Sequence, residues 1–191
     1  MRSLRLLTLA LLLWSVQALA VNPIVEMKTS AGPVRIELYA DKAPKSVANF
    51  LQYVKDGFYD GLVFHRVIDG FMIQGGGYYP DLREKKANHP PVENEAGNGL
   101  RNEVGTLAMA RTSDPQSARA QFFINVADNA FLNFREPSAA GFGYAVFGKV
   151  TTGMDAVMRI AQMPTGPAGP FPKDVPQQPV VIQSITLLSD K

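Results

Sequence analysis

Phe64-His65-Arg66-Val67-Ile68-Asp69-Gly70-Phe71-Met72-Ile73-Gln74-Gly75-Gly76-Gly77 reads as two short apolar strands joined at Asp69-Gly70, a dipeptide that supplies the positive φ of a tight turn. Within it Arg66, Phe71, Met72 and Gln74 place one fixed cation, two large apolar side chains and one neutral amide in a single hairpin. A core strand seldom carries an Arg unless the guanidinium has a partner or faces a groove. Arg66 is therefore either satisfied by a structural carboxylate or part of a site, and these residues alone leave both readings open.

Upstream of the hairpin, residues 24–28 and 33–39 flank Ala31-Gly32 and read as an antiparallel pair. Val34, Ile36 and Leu38 alternate with Arg35, Glu37 and Tyr39, the period of a half-buried strand. Asp41 and Pro44 then open a helix, Asp41 as its cap and Pro44 in the first turn, where a missing N–H is harmless. Val47, Phe50, Leu51 and Val54 share one helical face, and Gly57 ends it.

Downstream, residues 78–102 are polar and rich in Gly, Pro and Asn, and read as a long loop. Strands are expected at 104–111, 121–126, 144–150 and 180–188, with a second helix at 155–162. Residues 163–179 hold six Pro and little periodicity, and read as an extended connector. About eight strands and two helices with closely spaced turns predict a mainly β fold: a closed eight-stranded antiparallel barrel capped by two α-helices.

The N-terminus is a separate object. Arg2 and Arg5 precede an apolar run from Leu6 to Trp14, and Ala18-Leu19-Ala20 is a small-x-small cleavage site. That pattern is a secretory leader, cut after Ala20, and the run is short for a bilayer span. The expected organisation is a removed leader at 1–20 and one domain at 21–191. No Cys is present, so disulfides and thiol chemistry are excluded. Loss of Arg2 and Arg5 brings the 19 Lys and Arg level with the 17 Asp and Glu. A chain of near-zero charge has no electrostatic footprint for nucleic acid.

His65 and His89 are the two His of the chain. Without Cys or paired-His spacing, no zinc motif forms, and neither His stands in a recognisable nucleophile setting. Gly75-Gly76-Gly77 lacks the Lys-Ser/Thr of a phosphate loop, and Gly141-x-Gly143 lacks a third glycine. Cofactor-free chemistry, or plain binding, is what the residues leave.

Four blocks then carry a resemblance. The hairpin segment from Phe64 to Gly76, Gly105-Thr106-Leu107-Ala108-Met109-Ala110, Gln121-Phe122-Phe123-Ile124-Asn125 and Val146-Phe147-Gly148-Lys149-Val150 resemble, in this order, the signature of the cyclophilins. With the leader and Asn125-Val126-Ala127-Asp128-Asn129-Ala130-Phe131-Leu132, the chain is most similar to the bacterial periplasmic cyclophilins. The likeness spans residues 24–188.

The resemblance implies the eight-stranded barrel with two helices and cis–trans isomerisation of Xaa-Pro peptide bonds. It implies Arg66 and Gln74 as catalytic residues, and Phe71, Met72, Ala110, Arg111, Gln121, Phe123, Phe131, Leu132 and Tyr144 as substrate-binding residues. Phe71, Met72, Phe123 and Leu132 would hold the proline ring in a groove on the outer wall. Arg66 would donate to the proline nitrogen or grip its carbonyl, with Gln74 supporting Arg66 or bonding the substrate backbone.

The chain departs from the family at three of these positions. Phe131 stands where many members have Trp, so weak cyclosporin binding is expected with isomerase activity kept. Tyr144 stands where many have His, and Arg111 where Asn is frequent. The implied partners are proline-containing polypeptides, with no nucleic acid, no membrane once the leader is gone, and a monomeric chain. The competing readings are a peptide-binding chaperone module with incidental catalysis and a small-ligand barrel sharing the scaffold. Arg66 beside Gln74 separates them, because a pure binder needs the pocket but not the cation.

Expression of the full chain in a Gram-negative host is expected to yield a periplasmic product starting at Val21; intact-mass measurement showing Met1 retained in that fraction would overturn the leader assignment.

Overall fold

The computed structural model describes residues 22–188; the leader expected at 1–20 lies outside the described residues, as do residue 21 and residues 189–191. Strands β1 (Ile24–Thr29) and β2 (Gly32–Leu38) open the fold, followed by helix α1 (Pro44–Lys55) and strands β3 (Phe64–Ile68) and β4 (Met72–Gly75). After the long loop come β5 (Thr106–Met109), β6 (Phe122–Asn125), β7 (Val146–Thr152), helix α2 (Met154–Ala161), β8 (Thr165–Ala168), β9 (Phe171–Pro176) and β10 (Ile182–Leu188).

Eight strands form one sheet in the order β10-β1-β2-β7-β5-β6-β4-β3, every neighbouring pair antiparallel. The fold is mainly β with two helices, as expected. The sheet is a strongly curled half-barrel, and no ladder joins its two edge strands among the described residues. They approach at a bridge between Val63 and Val181, where Phe64 N donates to Val180 O at 3.0 Å and Ile182 N to Leu62 O at 2.7 Å.

Alternation does the sorting. Val25 and Met27 of β1 and Val34, Ile36 and Leu38 of β2 point into the curl and are fully buried, each large side chain contributing about 1.5–3 kcal/mol of burial. Helix α1 covers one end of the interior. Its Phe50 ring meets Tyr59, Phe122 and Phe147 at 5.2, 5.7 and 5.4 Å between centroids, and the Tyr59 hydroxyl donates to Ala120 O at 2.9 Å.

Three sequence expectations are corrected here. The buried face of α1 is Ser46, Val47, Phe50 and Tyr53, with Leu51 and Val54 only partly covered. Asp41 does not cap the helix: Ala43 occupies the cap position and makes no side-chain bond. The cap comes from across the chain, where Glu95 accepts from Lys45 N at 3.0 Å and from Ser46 N and Ser46 Oγ at 2.7 Å each. That carboxylate satisfies free N–H groups at the positive end of the helix dipole and draws Ser46 inward, which rotates the buried face. Lastly, the segment read as a connector contains the β8–β9 hairpin. Its prolines restrict it to a short two-stranded ribbon, because each removes a ladder donor.

Replacing Glu95 by Ala is expected to lower stability by about 1–2 kcal/mol, a fall of roughly 2–8 °C in unfolding midpoint at this chain length, and Glu95→Gln by less. Thermal denaturation of the two variants is the check; equal midpoints for wild type and Glu95→Ala would remove the cap.

Candidate active site

The site is built by the sheet register on the face opposite the interior. Arg66 pairs with Gln74, Gln74 with Phe123, Phe123 with Ala108 and Ala108 with Val146, so five strands contribute to one lateral row. Ile73, Phe122, Ile124 and Leu107, adjacent in sequence to these, belong to the interior cluster, while Met72, Phe123, Ala108, Val146 and Leu132 form a second, separate cluster. Phe123 and Met72 are thus not ordinary interior core.

Arg66 reaches this face through a β-bulge. Phe64 pairs with Gly75 and Arg66 with Gln74, so β3 spends one residue more than β4 over this step, and His65 is the extra one. Phe64 and Val67 both lie in the interior cluster. With strict period-2 alternation Arg66 would share the side of Phe64; the bulge resets the phase.

Nine of the expected residues line one pocket of about 90 Å³: Arg66, Phe71, Met72, Gln74, Ala110, Arg111, Phe123, Leu132 and Tyr144. That volume suits one small ring and is well below the roughly 300–1,000 Å³ of drug-sized sites. Gln121 lies just outside, its side chain accepting from Gln74 Nε2 at 3.0 Å. Gln74 therefore braces Gln121 and makes no hydrogen bond to Arg66. Gly77 makes room for this pair, since a Cβ there would stand 2.5 Å from the Gln121 amide. Phe131 does not line the pocket. It is 69% exposed and stacks on Phe71 at 5.6 Å, because the 3-10 turn Ala130–Leu132 sends Leu132 inward and its neighbour out.

Arg111 is committed to the wall. Its Nε donates to Gly143 O at 3.0 Å, Nη1 donates to Thr112 O at 2.8 Å, and the guanidinium lies 4.4 Å over the Tyr144 ring. Tyr144 in turn meets Phe123 edge-on at 5.7 Å. Gly143 permits this approach: its φ is +69°, and a Cβ would fall 2.6 Å from Leu132 O. Gln74, Ala110 and Arg111 also border an adjoining open cavity of about 430 Å³.

The sequence reading missed the groups beneath and beside the pocket. Asn129 Nδ2 donates to Phe71 O at 2.9 Å and to Asn125 Oδ1 at 2.7 Å, and Asn125 Nδ2 donates to Thr106 Oγ1 at 2.9 Å. Asn102 Nδ2 donates to Leu132 O at 3.2 Å. All three amides are buried, so their bonds fix the backbone of two pocket walls. Asp174 was also missed. Its Oδ2 stands 3.9 Å from Arg66 Nε, brought there by the hairpin read as a connector. Arg66 remains 42% exposed, so it is not sequestered. No local pattern marks Asp174, whereas the density of Asn between 94 and 133 was a visible signal.

His65, the bulge residue, is 2% exposed and packs between Tyr78 at 4.5 Å and Phe171 of β9 at 5.5 Å. Burial first, and the charge of Arg66 second, lower its pKa from 6.5 to about 4, against an opposing hydrogen bond to Val63. Among the described residues, no group of three or more His, Cys, Asp or Glu is placed to hold a metal ion.

Comparison with known proteins bears on the family and the fold. The family model described as cyclophilin type peptidyl-prolyl cis-trans isomerase/CLD matches residues 24–187. A peptidyl-prolyl cis-trans isomerase of Acinetobacter baylyi is 57% identical over 178 residues, 93% of this chain and 92% of that protein. Peptidyl-prolyl cis-trans isomerase B of Escherichia coli is 52% identical over 164 residues, 86% of this chain and 99% of that protein. The crystal structure of a Cryptosporidium parvum cyclophilin type isomerase, in the presence of the dipeptide Ala-Pro, superposes with a TM-score of 0.66 at 26% identity, covering 87% of this chain and 99% of that one.

A buried neutral His lets the unfolded chain bind the extra proton. Its contribution is complete above pH 6.5 and is lost as the pH falls toward 4, a loss of about 3 kcal/mol. Urea unfolding at pH 7 and pH 4.5 is expected to show most of that loss in wild type and little in His65→Phe; equally steep losses would overturn the assignment.

Proposed function

The chain belongs to the cyclophilin-type peptidyl-prolyl cis-trans isomerases and is an enzyme of that class, and from this premise we propose that it turns Xaa-Pro bonds of exported polypeptides at the Arg66 pocket. The observation that carries the site is the meeting of Arg66 with Phe71, Met72, Phe123 and Leu132 around a space of about 90 Å³.

The chemistry asks for little more. Rotation about an amide is opposed by roughly 18–20 kcal/mol because the nitrogen lone pair is shared with the carbonyl. Xaa-Pro bonds have nearly balanced isomers that interconvert over tens to hundreds of seconds. In the proposed reaction the apolar walls hold the ring while the acyl side rotates. The twisted nitrogen regains its lone pair, and Arg66 donates to it or to the proline carbonyl. No bond breaks and no proton is transferred. A guanidinium, charged at every working pH and forked in shape, suits that task. Each tenfold in rate requires about 1.4 kcal/mol of binding that exists only in the twisted state.

Gln74, held by Gln121, is read as a fixed amide facing the substrate backbone. Ala110, Arg111 and Tyr144 form the far wall. Phe131, swung onto Phe71 and lacking an indole N–H, supports the expectation of weak cyclosporin binding. The leader supports a periplasmic location, where the enzyme would act as a monomer on secreted chains, and 21–191 is read as one domain without a cofactor. The bridge between Val63 and Val181 supports reading the curled sheet as a barrel closed at that end.

Arg66→Ala is expected to lower kcat/KM for a short Xaa-Pro peptide about 100-fold, equivalent to about 3 kcal/mol, with the unfolding midpoint unchanged because Arg66 is half exposed. A protease-coupled isomerisation assay beside thermal denaturation tests it. Unchanged turnover would refute the mechanism.

A further inference from the structure

We propose that Asp174 is the positioning residue for Arg66, an inference that rests on the reading of Arg66 given above. Three observations converge on it. The closest approach of the carboxylate to the guanidinium is at Nε of Arg66. Among the described residues no hydrogen bond or second carboxylate holds that guanidinium, and Gln74, the expected support, is turned to Gln121. An Arg side chain left unanchored samples many rotamers, whereas one steered through Nε keeps both Nη groups free for a substrate.

The second observation is how Asp174 comes to be there. In the β8–β9 hairpin, Gly166 pairs with Val175 and Ala168 with Phe171, so three residues of β9 stand opposite Pro167 alone. Asp174 sits in that irregularity with φ at +66°, a left-handed conformation open to few residues besides Gly, Asn and Asp. Strand irregularities of this kind re-aim a side chain, and they collect beside active sites. The result is a carboxylate only 18% exposed, on a ribbon facing β3.

The third is that the ribbon is pinned. Phe171 of β9 packs on His65 at 5.5 Å and on Tyr78 at 5.0 Å, so the hairpin bearing Asp174 is tied to the residue beside Arg66. Two irregular strands, each re-aimed by extra residues, thus present an opposed pair of charges at one edge of the pocket. At 3.9 Å the attraction is Coulombic steering and not a hydrogen bond. Pre-placing the guanidinium should raise kcat more than it lowers KM.

Asp174→Asn removes the charge while tolerating the same backbone conformation. It is expected to reduce kcat/KM for a short Xaa-Pro peptide about five- to tenfold, mainly in kcat, with an unchanged unfolding midpoint. In an Arg66→Lys background, where a compact ammonium has no Nε to steer, the same change should alter the rate by less than about twofold. In NMR spectra of the labelled protein, Asp174→Asn should shift the Arg66 Nε–Hε resonance. No rate loss in the wild-type background, an equal loss in both backgrounds, or an unmoved Arg66 resonance would each overturn the assignment. An inactive wild type would instead overturn the isomerase reading, which the same assay tells apart.

Discussion

The extra residue in β3 is the constraint on which the site depends. Pleating sends successive side chains to opposite faces, so Phe64 and Arg66 would share a face on an unbroken strand. Phe64 has 1% exposure in the interior, and an Arg there would lose its hydration with no partner to replace it. Inserting His65 between the paired positions lets Phe64 and Val67 both enter the interior while Arg66 turns out. The register of the next four strands then carries Gln74, Phe123, Ala108 and Val146 in line with it. Strands supply Arg66, Met72, Gln74 and Phe123 to the pocket, and the segments that flank them supply Phe71, Ala110, Arg111, Leu132 and Tyr144.

Rigidity below the row comes from polar groups. Asn102, Asn125 and Asn129 are buried, bonded to one another and to the carbonyls of Phe71 and Leu132. A buried amide left unpaired costs about 1–3 kcal/mol, so each Asn fixes its neighbours as firmly as they fix it. For a reaction with no proton in flight, that is the useful property. In the mechanism proposed above, the enzyme contributes a shape and a fixed charge that fit the twisted amide better than either planar form.

Local order was legible in the sequence and long-range order was not. The Asp69-Gly70 turn, the alternation of Val34, Ile36 and Leu38, and the apolar stripe of α1 depend on neighbours within a few residues, and they place the elements well. The α1 cap escaped notice because Glu95 lies 49 residues from Ser46, and propensity at the helix start favoured Asp41. Asp174 escaped for the same reason, on a ribbon whose prolines imitate a connector. The family likeness placed Phe131 among the pocket residues, but it could not foresee that the ring stacks outward on Phe71. It could name Gln74 too, yet not that Gln121 takes its amide. Even the bulge is silent in sequence: His65 looks like any strand residue until the register is counted.

His65 also bears on the electrostatics of the row. A protonated imidazole next to Arg66 would add a further cation to a site that already holds Arg66 and the wall-bound Arg111. Burial between Tyr78 and Phe171 removes that possibility near neutral pH, and the charge of Arg66 itself disfavours the proton. Neutrality of His65 and the outward turn of Arg66 therefore have one origin, because the residue that shifts the strand phase is the one the β8–β9 ribbon covers. The Arg66 guanidinium, 42% exposed, is left with the partial company of a single carboxylate, in a pocket it shares with an Arg111 whose Nε and Nη1 are already bonded to the wall.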